Sequence, residues 1–283
     1  MDWTIFQLGC LVVLAVAYTW LIRDAGRRSD EPSRARRDMA ISMVLIAVTA
    51  WAAEETSILQ YRHYHYPDGW WVKLDEMPLI PTLIWPVLIL SSRALVDQLF
   101  PGLSPLKKAL AVGLAVIVDA TLIETIAVTA GLWVWVDGGY LGAPLVAIFS
   151  WGAFAAPVVF AFEHPKIPRW ASPLVALAGT HALIVASWWI FFRHTLREDL
   201  PSWTVAINVV AMVVLTVWLR RRGRRIDMNL AAPRLVATTV FIALLITHAS
   251  VELVINFAAV VIPYLAIFDP RGEPRAGRVS RAR

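Results

Sequence analysis

Between Asp119 and Trp151 the chain reads DATLIETIAVTAGLWVWVDGGYLGAPLVAIFSW. The run opens inside an apolar helix that carries two acids, Asp119 and Glu124, and leaves that helix through Trp133 and Trp135. It turns at Gly138, Gly139 and Tyr140, then starts a new apolar run at Gly142 and Pro144 towards Trp151. A carboxylate at bilayer depth costs a few kcal/mol on insertion scales, so such residues face a bundle interior and mark a site. The spacing therefore predicts two membrane helices joined by an aromatic turn, with Glu124 aimed at that turn.

Composition extends this reading to the whole chain. The 283 residues are 58% hydrophobic and 17% charged, with mean hydropathy +0.62. Several apolar runs approach the roughly 20 residues that a bilayer demands. The expectation is an all-α, polytopic helix bundle in the cell membrane, about eight spans in one domain to residue 268, with a basic, disordered tail at 269–283. The spans fall near Trp3–Ile22, Met39–Leu59, Met77–Leu90, Leu110–Ala130, Leu141–Phe162, Pro173–Phe192 and Trp203–Leu219, with a last stretch ending at Phe268. That last stretch is long for one pass and short for two. The third span contains Pro78, Pro81 and Pro86, which predicts kinks or a broken start.

Loop charge gives orientation. Arg23 to Arg37 carries six arginines, and the links at Lys107–Lys108, Lys166–Arg169 and Arg220–Arg234 lie on the same side. The opposite loops hold only Arg62, Lys73, Arg193 and Arg197. The bias places the first set in the cytoplasm and the N-terminus outside, although eight spans then put the arginine-rich tail outside too. The net charge of +5 resides in these loops and speaks for anionic membrane lipids, not nucleic acid. A single cysteine, Cys10, excludes an internal disulfide or a cysteine metal site. Six scattered histidines give no clustered metal motif, and neither a metal nor a soluble cofactor is expected.

Depth follows from the helical rise. Glu124 lies roughly 24 Å from Lys108, Glu54 roughly 25 Å from Arg37, Glu252 roughly 27 Å and His248 about 21 Å from Arg234, and His181 about 18 Å in. These groups predict one polar-lined cavity in the outer half, beneath the loop Tyr64–Trp71. Of the adjacent Glu54 and Glu55, one faces the cavity and the other the headgroups. His248, Glu252 and Asn256 recur at i, i+4 and i+8, one stripe on one helix face, either as helix-to-helix glue or as part of the site. Asp119 and Glu124 diverge by roughly 140° and need not share a partner. Most tryptophans belong to interfacial belts, but their faces also stabilise cations.

Several of these residues together resemble the membrane-bound carotenoid biosynthesis proteins that include bisanhydrobacterioruberin hydratase. The resemblance rests on Glu124, the WVW of Trp133 and Trp135, GGYLGAP from Gly138 to Pro144, and Trp151. An acid at Glu54 or Glu55, the YHY of Tyr64, His65 and Tyr66, and MPLIPTLIW ending at Trp85 add to it. The chain departs from that pattern at SILQYRH in place of a glycine-rich spacer, at Ala147 in place of asparagine and at Thr125 in place of proline. The resemblance implies hydration of the terminal double bond of an acyclic carotenoid, beside other enzymes of that pathway.

Protonating such an alkene gives a tertiary cation. The site then needs an acid, an aromatic wall and one admitted water. The expected roles are Glu124 as acid, Glu54 or Glu55 as base or partner and His65 as the group that positions water; Asp119 is a further catalytic candidate for which a structural role is favoured. Tyr64, Tyr66, Trp85, Trp133, Trp135, Tyr140, Trp151, His181, His248, Glu252 and Asn256 are the expected lining. A polyprenoid cyclase or isomerase would need the same acid and wall without water. A non-enzymatic lipid or proton-coupled carrier would instead use His248, Glu252 and Asn256 as a path.

Overall fold

The computed structural model describes residues 2–194 and 199–269. Nine α-helices appear among them: α1 Trp3–Arg27, α2 Pro32–Tyr61, α3 Leu79–Leu99, α4 Pro105–Thr129, α5 Leu145–Glu163, α6 Ser172–Ile190, α7 Thr204–Arg221, α8 Met228–His248 and α9 Val251–Ile267. All but α9 are long and apolar enough to cross a membrane. The protein is thus an all-α bundle with the character of a multi-pass membrane protein.

Helix ends follow local chemistry. Proline stands in the first turn of α2, α4 and α6, where its missing N–H costs nothing. The Asp2 carboxylate caps α1, accepting from Thr4 N at 2.9 Å and Ile5 N at 3.2 Å. Arg62, at φ 53°, ends α2 in the left-handed region. In the third span Pro78 is the cap of α3, and the helix continues to Leu99 with Pro86 inside it, nine residues beyond the expected end.

The last apolar stretch is a correction. It is not one span: Ala249 and Ser250 are extended, and the Ser250 hydroxyl accepts from Leu253 N at 3.1 Å to start a new helix. Helix α9, about 25 Å long by its rise, brings Phe268 back beside Ile226 in a two-residue parallel pairing of β5, Ile226–Asp227, with β6, Phe268–Asp269. The chain therefore returns to the basic end of the bundle by residue 269. The tail from residue 270 on, like Arg197, lies outside the described residues. Because α8 already begins at Met228, Arg234 belongs to its second turn instead of the basic link, and helical counts taken from Arg234 as a flank do not apply.

Short strands organise the opposite end. β1, Tyr64–His65, pairs antiparallel with β4, Val134–Trp135, so that Tyr64 faces Trp135 and His65 faces Val134. β2, Lys73–Leu74, pairs with β3, Met77–Pro78. Farther along, Leu141 (φ 50°) and Gly142 (φ 83°) both take positive φ and close a two-residue turn between Tyr140 and Ala143, a geometry that suits glycine. Gln7, buried in α1, clamps this end by donating to Gly69 O at 3.0 Å and accepting from Trp71 N at 2.8 Å.

Candidate active site

Strand residues alternate faces, and the β1–β4 pairing uses that alternation to build a wall. Tyr64, Tyr66, Trp133 and Trp135 turn inward, while His65 is exposed and Val134 keeps 42% of its surface in solvent. The inward rings meet in sequence. Tyr64 lies 4.5 Å from Trp135 between centroids, Tyr66 lies 5.9 Å from Trp133, and Trp70 lies 6.2 Å from Tyr66. Beneath them Trp85 of α3 lies 4.8 Å between centroids from Trp151 of α5, tilted against it, and meets Phe154 edge-to-face at 4.7 Å. These rings enclose a chamber of about 120 Å³. On a scale where one water needs roughly 10–15 Å³, that holds a small organic group together with water.

Two carboxyl groups face this chamber. Glu124, 1% exposed, accepts from the indole N–H groups of Trp133 at 2.7 Å and Trp135 at 2.6 Å through Oε1, and from Trp151 at 2.9 Å through Oε2. Glu54 accepts from the Trp85 indole at 3.2 Å and from the Tyr64 hydroxyl. The two sets of donors pack against one another: Tyr64 against Trp135, and Trp85 against Trp151. Each carboxylate is therefore held by rings that pack on the other's donors.

Donor and acceptor capacity assigns states. An indole N–H donates only, and a carboxylate offers about four lone-pair sites. Three of Glu124's sites are filled, and a proton on it would meet no acceptor among its partners. The constellation suits the anion, with one lone pair on Oε2 left over. Glu54 differs, because the Tyr64 hydroxyl can accept as well as donate. Burial, with the Glu54 charge second, pushes the Tyr64 phenol well above its ordinary range, and burial beside Glu54 and Glu124 does the same to Tyr66. Both phenols therefore stay protonated. Among the described residues no Lys or Arg lines the chamber, so negative charge inside it is balanced only by dipoles.

The ambiguity between Glu54 and Glu55 is resolved. Glu55, 6% exposed, accepts from the main-chain N–H groups of Met77 at 3.0 Å and Glu76 at 3.5 Å. It fixes the β2–β3 hairpin instead of lining the chamber. His65 does not reach the site either, since the strand alternation turns it outward; His63, Tyr61 and Ser57 line the mouth in its place. His181 sits behind Tyr61, whose hydroxyl lies 2.8 Å from Nδ1, while Nε2 lies 2.7 Å from Thr56 Oγ1.

Other expected residues gather elsewhere. Asn256 is fully buried in a separate polar knot. It accepts from Tyr140 and Asn208, each at 2.7 Å, and donates to Thr121 O at 2.8 Å. Burial pushes the Tyr140 phenol to about 12. The knot lies between α4, α7, α9 and the Tyr140 turn, so neither Tyr140 nor Asn256 lines the chamber. The predicted stripe of His248, Glu252 and Asn256 does not exist, because the break at Ala249–Ser250 separates His248 from the other two. Neither His248 nor Glu252 lines the chamber. Asp119 also faces away, into a second cavity, where it pairs with Arg234 and accepts from Tyr264 at 3.1 Å.

Among the described residues no group of three or more His, Cys, Asp or Glu side chains is arranged to hold a metal. No family model, curated protein or solved structure matches this chain.

Proposed function

We propose that the chamber is the active site of a membrane enzyme that adds water to the terminal trisubstituted double bond of an uncharged acyclic isoprenoid, a carotenoid end group in the reading that the sequence motifs support. The observation that carries this is the pairing of two carboxyl groups, Glu54 and Glu124, within one ring-lined chamber free of lysine and arginine. Such a chamber stabilises a carbocation through ring faces and a fixed anion.

The hydrogen bonds favour Glu54 as the acid and Glu124 as the anion, the reverse of the order expected from sequence. In that reading Glu54 transfers its proton to the less substituted alkene carbon and the tertiary cation forms against Trp85, Trp133 and Trp135. A water held by the spare lone pair of Glu124 Oε2 attacks, forming the C–O bond. Its excess proton passes to Glu124 and then returns to Glu54, so that both carboxyl groups end as they began, Glu54 protonated and Glu124 an anion. Tyr64 stays hydrogen-bonded to Glu54, accepting from the acid before transfer and donating to the carboxylate after it.

Loop arginine supports an orientation with the basic end in the cytoplasm and the chamber in the outer half of the bilayer. The test is co-expression in a host that accumulates lycopene, with pigments read by mass spectrometry. Hydration adds one water per reacted end, and the gain disappears in Glu54→Gln and Glu124→Gln. A product of unchanged mass but altered retention would assign the chamber to an isomerase or cyclase. Unchanged pigment beside verified membrane expression would overturn the reading.

A further inference from the structure

A second cavity of about 150 Å³ lies on the basic side of the chamber. The two share walls at Cys10, Ile84, Ile123, Val240 and Phe241. Four helices report the same order along the bundle. On α1 the lining passes from Phe6 in the chamber, through Cys10 in both, to Ala17 in the second cavity; on α3 it passes from Pro81 through Ile84 to Ser91. Helices α4 and α8 run the other way and agree. Asp119 and Arg234 line only the second cavity, Ile123 and Phe241 line both, and Glu124 and Leu244 line only the chamber. Phe6 to Ala17 spans about 16 Å by helical rise, so the two cavities in line reach several times the length of the reacting group.

The far end of the slot is polar but self-contained. Arg234 donates to Ser91 at 3.1 Å, Ser92 at 3.0 Å and Tyr264 at 3.0 Å, and pairs with Asp119. Its charge is neutralised by a carboxylate, so no free cation waits there for a phosphate. The chamber end carries two acids and no cation. A prenyl diphosphate would meet like charge at one end and a saturated arginine at the other. The walls shared between the two are apolar, made of Cys10, Ile84, Ile123, Val240 and Phe241.

We infer that the second cavity is the tail subsite of this slot: the isoprenoid enters end-first, its terminal double bond reaches Glu54 and Glu124, and its uncharged chain continues past Ile123 and Phe241 towards the Asp119–Arg234 pair. The assignment of the reacting end rests on the proposed hydration, whereas the threading of the chain does not. Chain length selection then falls to the second cavity, and ionic head groups are rejected at both ends. Cys10, which lines both cavities, lies beside the chain at the waist.

Binding tests the inference independently of turnover. Purified protein in lipid nanodiscs is titrated with lycopene, read by quenching of the chamber tryptophans, and with the short acyclic hydrocarbon myrcene, read by competition. Ala17→Phe and, as a second filling in the same cavity, Leu14→Phe are compared with the native chain, and folding is checked by thermal melting. The filled variants are expected to bind lycopene at least tenfold more weakly while myrcene binds as before. Equal lycopene affinity in a folded filled variant would place the tail elsewhere and overturn the inference, as would an equal loss of both ligands. Lycopene binding that obeys these rules without any hydrated product would leave the slot standing and remove the hydratase reading. Failure of the native chain to bind either hydrocarbon would remove both.

Discussion

Replacing Glu124 by glutamine keeps shape and removes charge. The Gln carbonyl can accept two N–H groups, and Oε1 of Glu124 already accepts two, from Trp133 and Trp135. Its amide nitrogen then replaces Oε2 and meets the Trp151 indole N–H donor to donor, at a position where the acceptor now lies 2.9 Å away. One buried donor left unsatisfied costs about 1–3 kcal/mol. At roughly 2–4 °C per kcal/mol for a chain somewhat smaller than this one, the melting temperature should fall by several degrees. The diagnostic quantity is the coupling with Trp151→Phe, which removes the confronted donor. In a double-mutant cycle the pair should be less destabilised than the sum of the single variants by roughly 1–3 kcal/mol. The assay is thermal or denaturant unfolding in one detergent, followed by tryptophan fluorescence. An additive cycle, or a Glu124→Gln protein as stable as the native one, would mean that Glu124 already carries a proton and that its assignment as the anion is wrong.

Further outcomes follow from neighbouring contacts. Arg234→Ala leaves Asp119 buried without its counter-ion and should cost roughly 3–5 kcal/mol in an unfolding titration; the Asp119→Leu, Arg234→Met double variant should recover most of that loss. His65→Ala, on the outward face of β1, should change stability by no more than about 0.5 kcal/mol and leave pigment conversion intact. Glu55→Ala strips the acceptor from Met77 N and Glu76 N and should cost about 1–3 kcal/mol through the hairpin. The raised Tyr64 and Tyr66 phenols hold their protons in the folded chain after an unfolded one has begun to lose them. Their contribution is complete below pH of about 10 and is lost as pH rises through the folded values. Alkaline unfolding curves of the double Tyr→Phe variant should therefore be flatter above that pH.

How much of this was readable beforehand depended on the range of the interactions. Apolar runs located the spans because membrane helices satisfy their own backbones. An acid in such a run marked Glu124, and the aromatic exit marked Trp133 and Trp135. The chamber itself depends on contacts that residue spacing does not encode. The pairing of Tyr64 with Trp135 joins segments about 70 residues apart, and only that register sends His65 outward. Glu54 and Glu55 differ by a 100° turn of one helix, which a sequence without a phase reference leaves open. Arg234 was hidden by its arginine neighbours: it counts as a loop charge until α8 is seen to begin at Met228. The break at Ala249–Ser250 lacks both glycine and proline, and a serine cap alone is a weak signal against an apolar background.

The measurement that bears most directly on the chemistry is oxygen transfer. Purified protein loaded with lycopene is incubated in heavy-oxygen water and the pigment is examined by mass spectrometry. The proposed mechanism predicts a product carrying one heavy oxygen per hydrated end, absent from Glu54→Gln. Bound pigment that gains no oxygen, or gains it equally in Glu54→Gln, would contradict acid-catalysed hydration in this chamber.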